Sequence, residues 1–238
     1  MIEAHELAAG VWLFVGDATG RNFCVVLSGD KALLVDPGSP EPIERFLADM
    51  NAHAEGVAYT TNALASEPSS AEAWADLPTF APASFSARTP LPVSLPGWDA
   101  VPFGATSGRT GLLHARERVL VCGDLLPEPA AGIPDLQYGI EAYLESLGII
   151  ERLDLKLVVP WRGQPAAGKR AIKQRIEHDR SYVQSVVRHI ATSAASGLPL
   201  SRLLEVASNL YSDFPHLDAH LANMRYTWDE WKGVTRNS

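Results

Sequence analysis

The chain has 238 residues, enough for one large domain or two small ones with a sizeable buried core. Hydrophobic residues make up 46% and charged residues 20%, which excludes a disordered or fibrous chain. The formal net charge of −8 works against unspecific binding to nucleic acid or an anionic membrane, since both need excess positive charge.

The first forty residues predict β-structure. "GVWLFVGD", "NFCVVLSGD" and "KALLVDPG" are short apolar runs broken by Gly-Asp turns at hairpin spacing. After Asp36-Pro37-Gly38 a helix is expected, with Ser39 as its cap, Pro40 in its first turn, and Ile43, Phe46, Leu47 and Met50 on one face. "VAYTT", residues 57–61, reads as a brief strand, and Ser69 with Glu72 as a capping box opening a short helix through Trp74 and Ala75. Residues 78–103 carry Pro78, Pro82, Pro90, Pro92, Pro96 and Pro102, so irregular coil with short extended pieces is expected.

"TGLLHA" and "RVLVCGDLL" then form a hairpin around Arg116-Glu117. "YLESLGIIERL" reads as a helix, "LKLVVP" as a buried strand and "WRGQP" as a turn. From Gly168 onward the pattern is helical. Ile172, Ile176, Val183, Val187 and Ile190 form a stripe that Gly197 ends, and Leu217, Leu221, Met224, Trp228 and Trp231 trace the buried side of the last helix. These aromatic and Met residues read as core rather than as a cofactor box. The locally basic segment from Arg152 to Arg175 reads as a solvated helix face.

No apolar run reaches the ~18 residues of a membrane span. The amino terminus lacks a basic region before an apolar stretch, so no signal peptide is expected. Cys24 and Cys122 sit in apolar runs and suit reduced core thiols. Together these features predict a cytoplasmic protein. Fifteen Arg against five Lys, with abundant Ala, suggests a GC-rich bacterial source.

The order of the punctuating motifs carries a resemblance. "LLVDPG", "TTNALASE", "FGATSGRTG", "VLVCGDLL", the helix "YLESLGII" and "LVVPWRGQP" follow one another as in the metallo-β-lactamase superfamily of zinc or iron hydrolases, which the chain resembles over residues 10–165. The resemblance implies an α/β (α+β) fold, a four-layer αββα sandwich spanning residues 1–165. Additional C-terminal helices over 166–238 would pack on it within the same domain. It also implies one or two metals at one end of the sheets, held by imidazoles and carboxylates that leave a position open for water. The metal lowers that water's pKa to about 7, which supplies hydroxide.

Most of those ligand positions are altered here. Asn62 and Leu64 stand where the resemblance implies histidines, Ser66 stands for an aspartate, and Glu67 stands for a histidine. Ala105 replaces the histidine of the next loop and Arg162 that of the last turn, while Asp124 keeps its carboxylate. Leu64 and Ala105 cannot coordinate anything, and a guanidinium repels a divalent cation. The expectation is therefore a former metal site with no zinc, iron or manganese cofactor. In it Arg162 pairs with Asp124, and with Glu67, in place of the metal. Asp36 and Thr61 are the supporting residues implied beneath the site, Asp36 bracing the Thr60-Thr61 loop.

Other chemistries find little support. No histidine falls on a motif loop to serve Thr106, Ser66 or Ser107 as a base. His5 and His53 lie outside the motif positions, and His114 belongs at the opposite end of its strand from Asp124. His178 and His189 fall on the C-terminal helices. His216 and His220 are four residues apart there without a third ligand, and read as incidental surface residues. Cys122 reads as an inert buried thiol. Glu67 and Asp124 would be the acid/base pair of a metal-independent hydrolase.

The reading reached is a degenerate, metal-free member of that fold, a pseudoenzyme acting through a protein partner, a homo-oligomeric mate or a small anionic ligand. Neither nucleic acid nor membrane is an expected partner. The alternative is a hydrolase of thioesterase, lactonase or phosphodiesterase type, with a relic one-metal or metal-independent site.

Overall fold

The structure, a computed structural model, describes residues 3–15, 21–61, 72–91, 97–104 and 107–236. Strands β1 (Glu3–Ala8), β2 (Val11–Val15), β3 (Phe23–Ser28) and β4 (Lys31–Val35) form an antiparallel meander. Helix α1 (Pro40–Asp49) then crosses over to β5 (His53–Ala58), which pairs with β4 in parallel, and β6 (Thr79–Phe80) completes the first sheet. The second sheet contains β7 (Thr89–Pro90), β8 (Trp98–Pro102), β9 (Thr110–His114) and β10 (Val119–Gly123), all antiparallel neighbours. Helix α2 (Ile140–Arg152) leads to β11 (Leu157–Pro160), parallel to β10, and β12 (Ala166–Ala167) closes that edge. Helices α3 (Gly168–Ala195), α4 (Leu200–Leu210) and α5 (Leu217–Arg236) follow.

Alternation along the strands builds the layers. Cys24, Val26, Leu33 and Val35 of the first sheet meet Ala100, Leu112, Val119 and Val121 of the second in one apolar cluster between the sheets. Their chain neighbours Phe23, Val25 and Leu34 face the other way and pack on Ile43 and Leu47 of α1. On the far side, Leu120 and Cys122 pack with Tyr143 and Leu147 of α2, Ile176, Val183 and Ile190 of α3, and Met224 and Trp228 of α5. The result is the four-layer αββα sandwich, with the C-terminal helices sharing the core of the second sheet. Among the described residues, no helix is long and apolar enough to cross a membrane.

Local expectations needed correction in three places. The strand expected at residues 57–61 runs instead from His53 to Ala58, because its partner is β4, register Lys31 with His53 through Val35 with Ala58. The proline-rich stretch contains the full strand β8, whose Trp98 and Ala100 are buried. Its single proline ends it at Pro102, and Pro90 lies on the edge strand β7. Ser39 stands at the N-cap of α1 but makes no side-chain cap hydrogen bond, leaving Pro40 to set the first turn. Ser69 lies outside the described residues.

Candidate functional site

Strand β10 ends at Gly123, whose φ of 63° belongs to the left-handed region. A Cβ there would lie 2.1 Å from the Thr60 hydroxyl, so only glycine lets β10 pass this close to the end of the first sheet. Below this crossing sits Asp36, itself at φ 50° and buried. Its carboxylate accepts from Thr60 N at 2.7 Å, Thr60 Oγ1 at 2.6 Å and Trp161 Nε1 at 2.5 Å. Burial raises the Asp36 pKa from 3.8 to about 6 against those donors, which pull it down. Thr61 is buried alongside and forms an isolated antiparallel bridge with Arg109. The Thr110 amide donates to Thr60 O at 2.8 Å, which joins the two sheets at this end.

Asp124 follows Gly123, and its partner is Arg109. Arg109 Nε donates to Asp124 Oδ1 at 2.8 Å, and Nη2 donates to Oδ2 at 2.9 Å, the fork-to-carboxylate geometry of a bidentate pair. Nη2 also donates to Asp135 O at 2.7 Å, and the guanidinium lies over the rings of Tyr138 at 4.7 Å and Tyr143 at 5.5 Å. The side chains are 1% and 10% exposed, so this ion pair is screened from water. Burial alone would lower the Arg109 pKa; the charge and hydrogen bonds of Asp124 outweigh it and raise it. Nη1 is buried and has no hydrogen-bond partner among the described residues. Under the cation, Tyr143 donates its hydroxyl to Asp179 Oδ2 at 2.5 Å.

The pairing expected of Arg162 is thus made by Arg109. Arg162 is exposed and forms no ion pair among the described residues. The signal for Arg109 was present in the sequence. The hairpin register pairs Leu112 with Val121, and continuing it three residues puts Arg109 opposite Asp124.

Asp124 and Arg162 both line a cavity of about 240 Å³ together with Asp135, Trp161, His216 and Tyr226. Asp36 reaches this wall through Trp161. Asn62, Leu64, Ser66, Glu67 and Ala105 lie outside the described residues, so their share in the site is not part of this geometry. Burial raises the Asp135 pKa despite the backbone hydrogen bond from Gln137 and the nearby Arg109 and Arg162 cations. The histidines expected as incidental surface groups are not so. His220 is buried, and His216 lines the cavity, its Nε2 buried and without a hydrogen-bond partner among the described residues. His114 sits at the far end of β9, its Nδ1 accepting from Glu117 N at 3.1 Å. Cys122 is buried and its pKa is pushed up by burial first, then by Asp124.

A hydrolytic divalent cation fits the described residues poorly. The retained carboxylate already has both oxygens engaged by a guanidinium, and a second cation, Arg162, lines the same cavity. Among the described residues no group of three or more His, Cys, Asp or Glu side chains is placed to hold a metal.

The two sheets, their outer helices and the cavity at one sheet end define the metallo-β-lactamase fold, and comparison with solved structures shows the same. The DIM-1 metallo-β-lactamase superposes with a TM-score of 0.62 at 12% identity, covering 76% of this chain and 97% of that one. FIM-1 from Pseudomonas aeruginosa in its mono-zinc form gives 0.57 at 14% identity, over 76% and 96% of the two chains. A metallo-β-lactamase from Erythrobacter litoralis with β-mercaptoethanol in its active site gives 0.57 at 16%, over the same shares. No family model matches the sequence, and no curated protein matches it.

Proposed function

We propose that the Asp124 cavity is a metal-independent binding site for a small anion. The observation that carries this reading is the buried bidentate pair of Arg109 with Asp124. It supplies internally the positive charge that a cation would otherwise bring to the carboxylate, and it removes Asp124 as a repulsive charge toward an anion. Arg162 is then the exposed cation at the cavity wall, with a fork suited to a carboxylate or phosphate. His216 lines the same wall. The cavity's volume of about 240 Å³ suits a small ligand.

Calorimetric titration with acetate and with inorganic phosphate tests the reading. Saturable binding that weakens about tenfold in Arg162→Gln is the expected result. No saturable binding of either anion, or binding indifferent to Arg162→Gln, defeats it.

A second reading has its own support, since solved structures that share this fold are named as metallo-β-lactamases. On that reading the protein is a hydrolase that uses Asp124 together with residues outside the described set. Elemental analysis of the purified protein, alongside turnover of a β-lactam and a thioester with and without chelator, separates the two. Stoichiometric zinc, iron or manganese whose removal abolishes turnover establishes the hydrolase and rejects the anion-binding reading.

A further inference from the structure

Helix α4 carries an apolar stripe that its neighbours cover only in part. Leu203, Val206, Ala207 and Leu210 recur at spacings of three and four residues and so share one face. Leu203 and Ala207 are buried in the core of the second sheet, together with Met224 of α5. Val206 is 40% exposed, Leu210 72%, and the next residue, Tyr211, 39%. Five large apolar side chains are exposed among the described residues, and three of them are these, between positions 206 and 211. Scattered apolar exposure is ordinary on a protein surface, whereas a contiguous patch marks a contact. Beside the stripe runs a groove of about 280 Å³, lined by Arg188 and Thr192 from α3 and by Leu203, Val206 and Leu210 from α4.

The charges around this face differ from those of the whole chain. A formal net charge of −8 makes two copies repel over most approaches. Residues 185–213 hold Arg188, Arg202, Glu205 and Asp213 and no other Lys, Arg, Asp or Glu, so this stretch is neutral. Arg202 pairs with Glu205 within α4, Nη1 to Oε2 at 2.6 Å. Arg188 and Asp213 form no ion pair among the described residues. The face therefore carries both halves of a contact. One half is a protruding Leu210 with a carboxylate three residues further on, and the other is a groove with a guanidinium on its wall. An interface between two copies related by a two-fold axis has to be complementary to itself, and this combination is.

We infer that this face joins two copies of the chain about a two-fold axis, α4 against α4. Leu210 of each copy enters the groove of the other, and Asp213 of each meets Arg188 of the other. Every contact occurs twice by symmetry, so a modest patch gains a pair of apolar anchors and a pair of ion pairs. Thr192, Ser193, Asn209 and Ser212 give the apolar centre a polar rim, the anatomy of a stable interface. The inference is independent of the Asp124 cavity, whose lining includes none of these residues.

Sedimentation velocity of the full chain over a series of concentrations reads the assembly directly. The expected species has the mass of two chains. Leu210→Glu puts a carboxylate into each apolar contact and should raise the dissociation constant at least about tenfold. Its position is exposed, so the circular dichroism of the protein should not change. Arg188→Glu and Asp213→Lys should each weaken the dimer by about three- to tenfold. Arg188→Glu/Asp213→Lys restores opposite charges and should recover most of that loss, which a variant damaged in folding would not do. A chain that sediments as one copy at every concentration overturns the inference, whether the face then stays bare or takes a different protein. A dimer indifferent to Leu210→Glu overturns it as well, because its contact lies elsewhere. So does a double variant no tighter than the weaker of the two single ones.

Discussion

Replacing Arg109 by Met removes the cation and keeps an unbranched apolar chain of similar length. Asp124 loses the donors at 2.8, 2.9 and 3.0 Å, and Asp135 O loses the one at 2.7 Å. With a side chain only 10% exposed, the Asp124 carboxylate has little water to replace them. Breaking a buried pair from one side costs about 3–5 kcal/mol, most of it the penalty of the charge left behind. The stacking of the cation on Tyr138 and Tyr143 adds about 1 kcal/mol. Asp124→Leu should cost about as much, since it leaves the guanidinium unpaired instead. Arg109→Met/Asp124→Leu leaves no charge behind and should lie within about 2 kcal/mol of the unmodified protein. The cycle therefore predicts a coupling energy of at least about 3 kcal/mol, read by urea unfolding with the m-values held in common. A single Arg109→Met variant within about 1 kcal/mol of the original, or losses that add, would show that the ion pair does not hold this end of the molecule together.

Asp36 predicts a pH dependence of definite sign. Its pKa is raised from 3.8 to about 6 in the fold, so it contributes stability below the lower value and loses it as pH rises through the upper. Between pH 4 and 7 the protein should lose about 2–3 kcal/mol that Asp36→Asn does not, and equal slopes for the two proteins in urea unfolding would refute this. Tyr143→Phe removes the 2.5 Å hydrogen bond to Asp179, whose other oxygen has only His178 Nδ1 at 3.6 Å and no hydrogen bond among the described residues, and should destabilise by about 1–3 kcal/mol in the same assay. A change of a few tenths would mean that water replaces the phenol. Cys24 and Cys122 are both buried, and burial raises both thiol pKa values. Both should resist Ellman's reagent at pH 8 until the protein is unfolded in guanidinium, and a thiol that reacts in the native protein contradicts their placement.

Much of the fold is legible along the chain. Strands β2, β3, β4, β9 and β10 follow from apolar runs between Gly-Asp and Arg-Glu turns, and α3 and α5 from apolar stripes that Ile172, Ile176, Met224 and Trp228 mark. Strand β8 was hidden because proline density speaks against strands in general, whereas these prolines lie at an end and on an edge. At the site, the sequence points to Arg162 as the partner of Asp124, whereas the structure pairs that carboxylate with Arg109. Local rules weigh a residue by its neighbours in sequence. Arg162 lies in a motif of its own, whereas only the β9–β10 register puts Arg109 across from the carboxylate.

Composition, periodicity and motif order by themselves determined a layered sheet-and-helix protein of a known fold. The expectation that Asp36 braces Thr60 came from the sequence, whereas the tertiary structure alone decided that Trp161, 125 residues away along the chain, donates to the same carboxylate. It also decided that His216 and His220, one helical turn apart, line different cavities. The physical reason is that secondary structure answers to spacing within a few residues. The pairing of a buried charge or imidazole answers to whatever groups the packed layers bring within hydrogen-bonding distance, however far apart they lie along the chain.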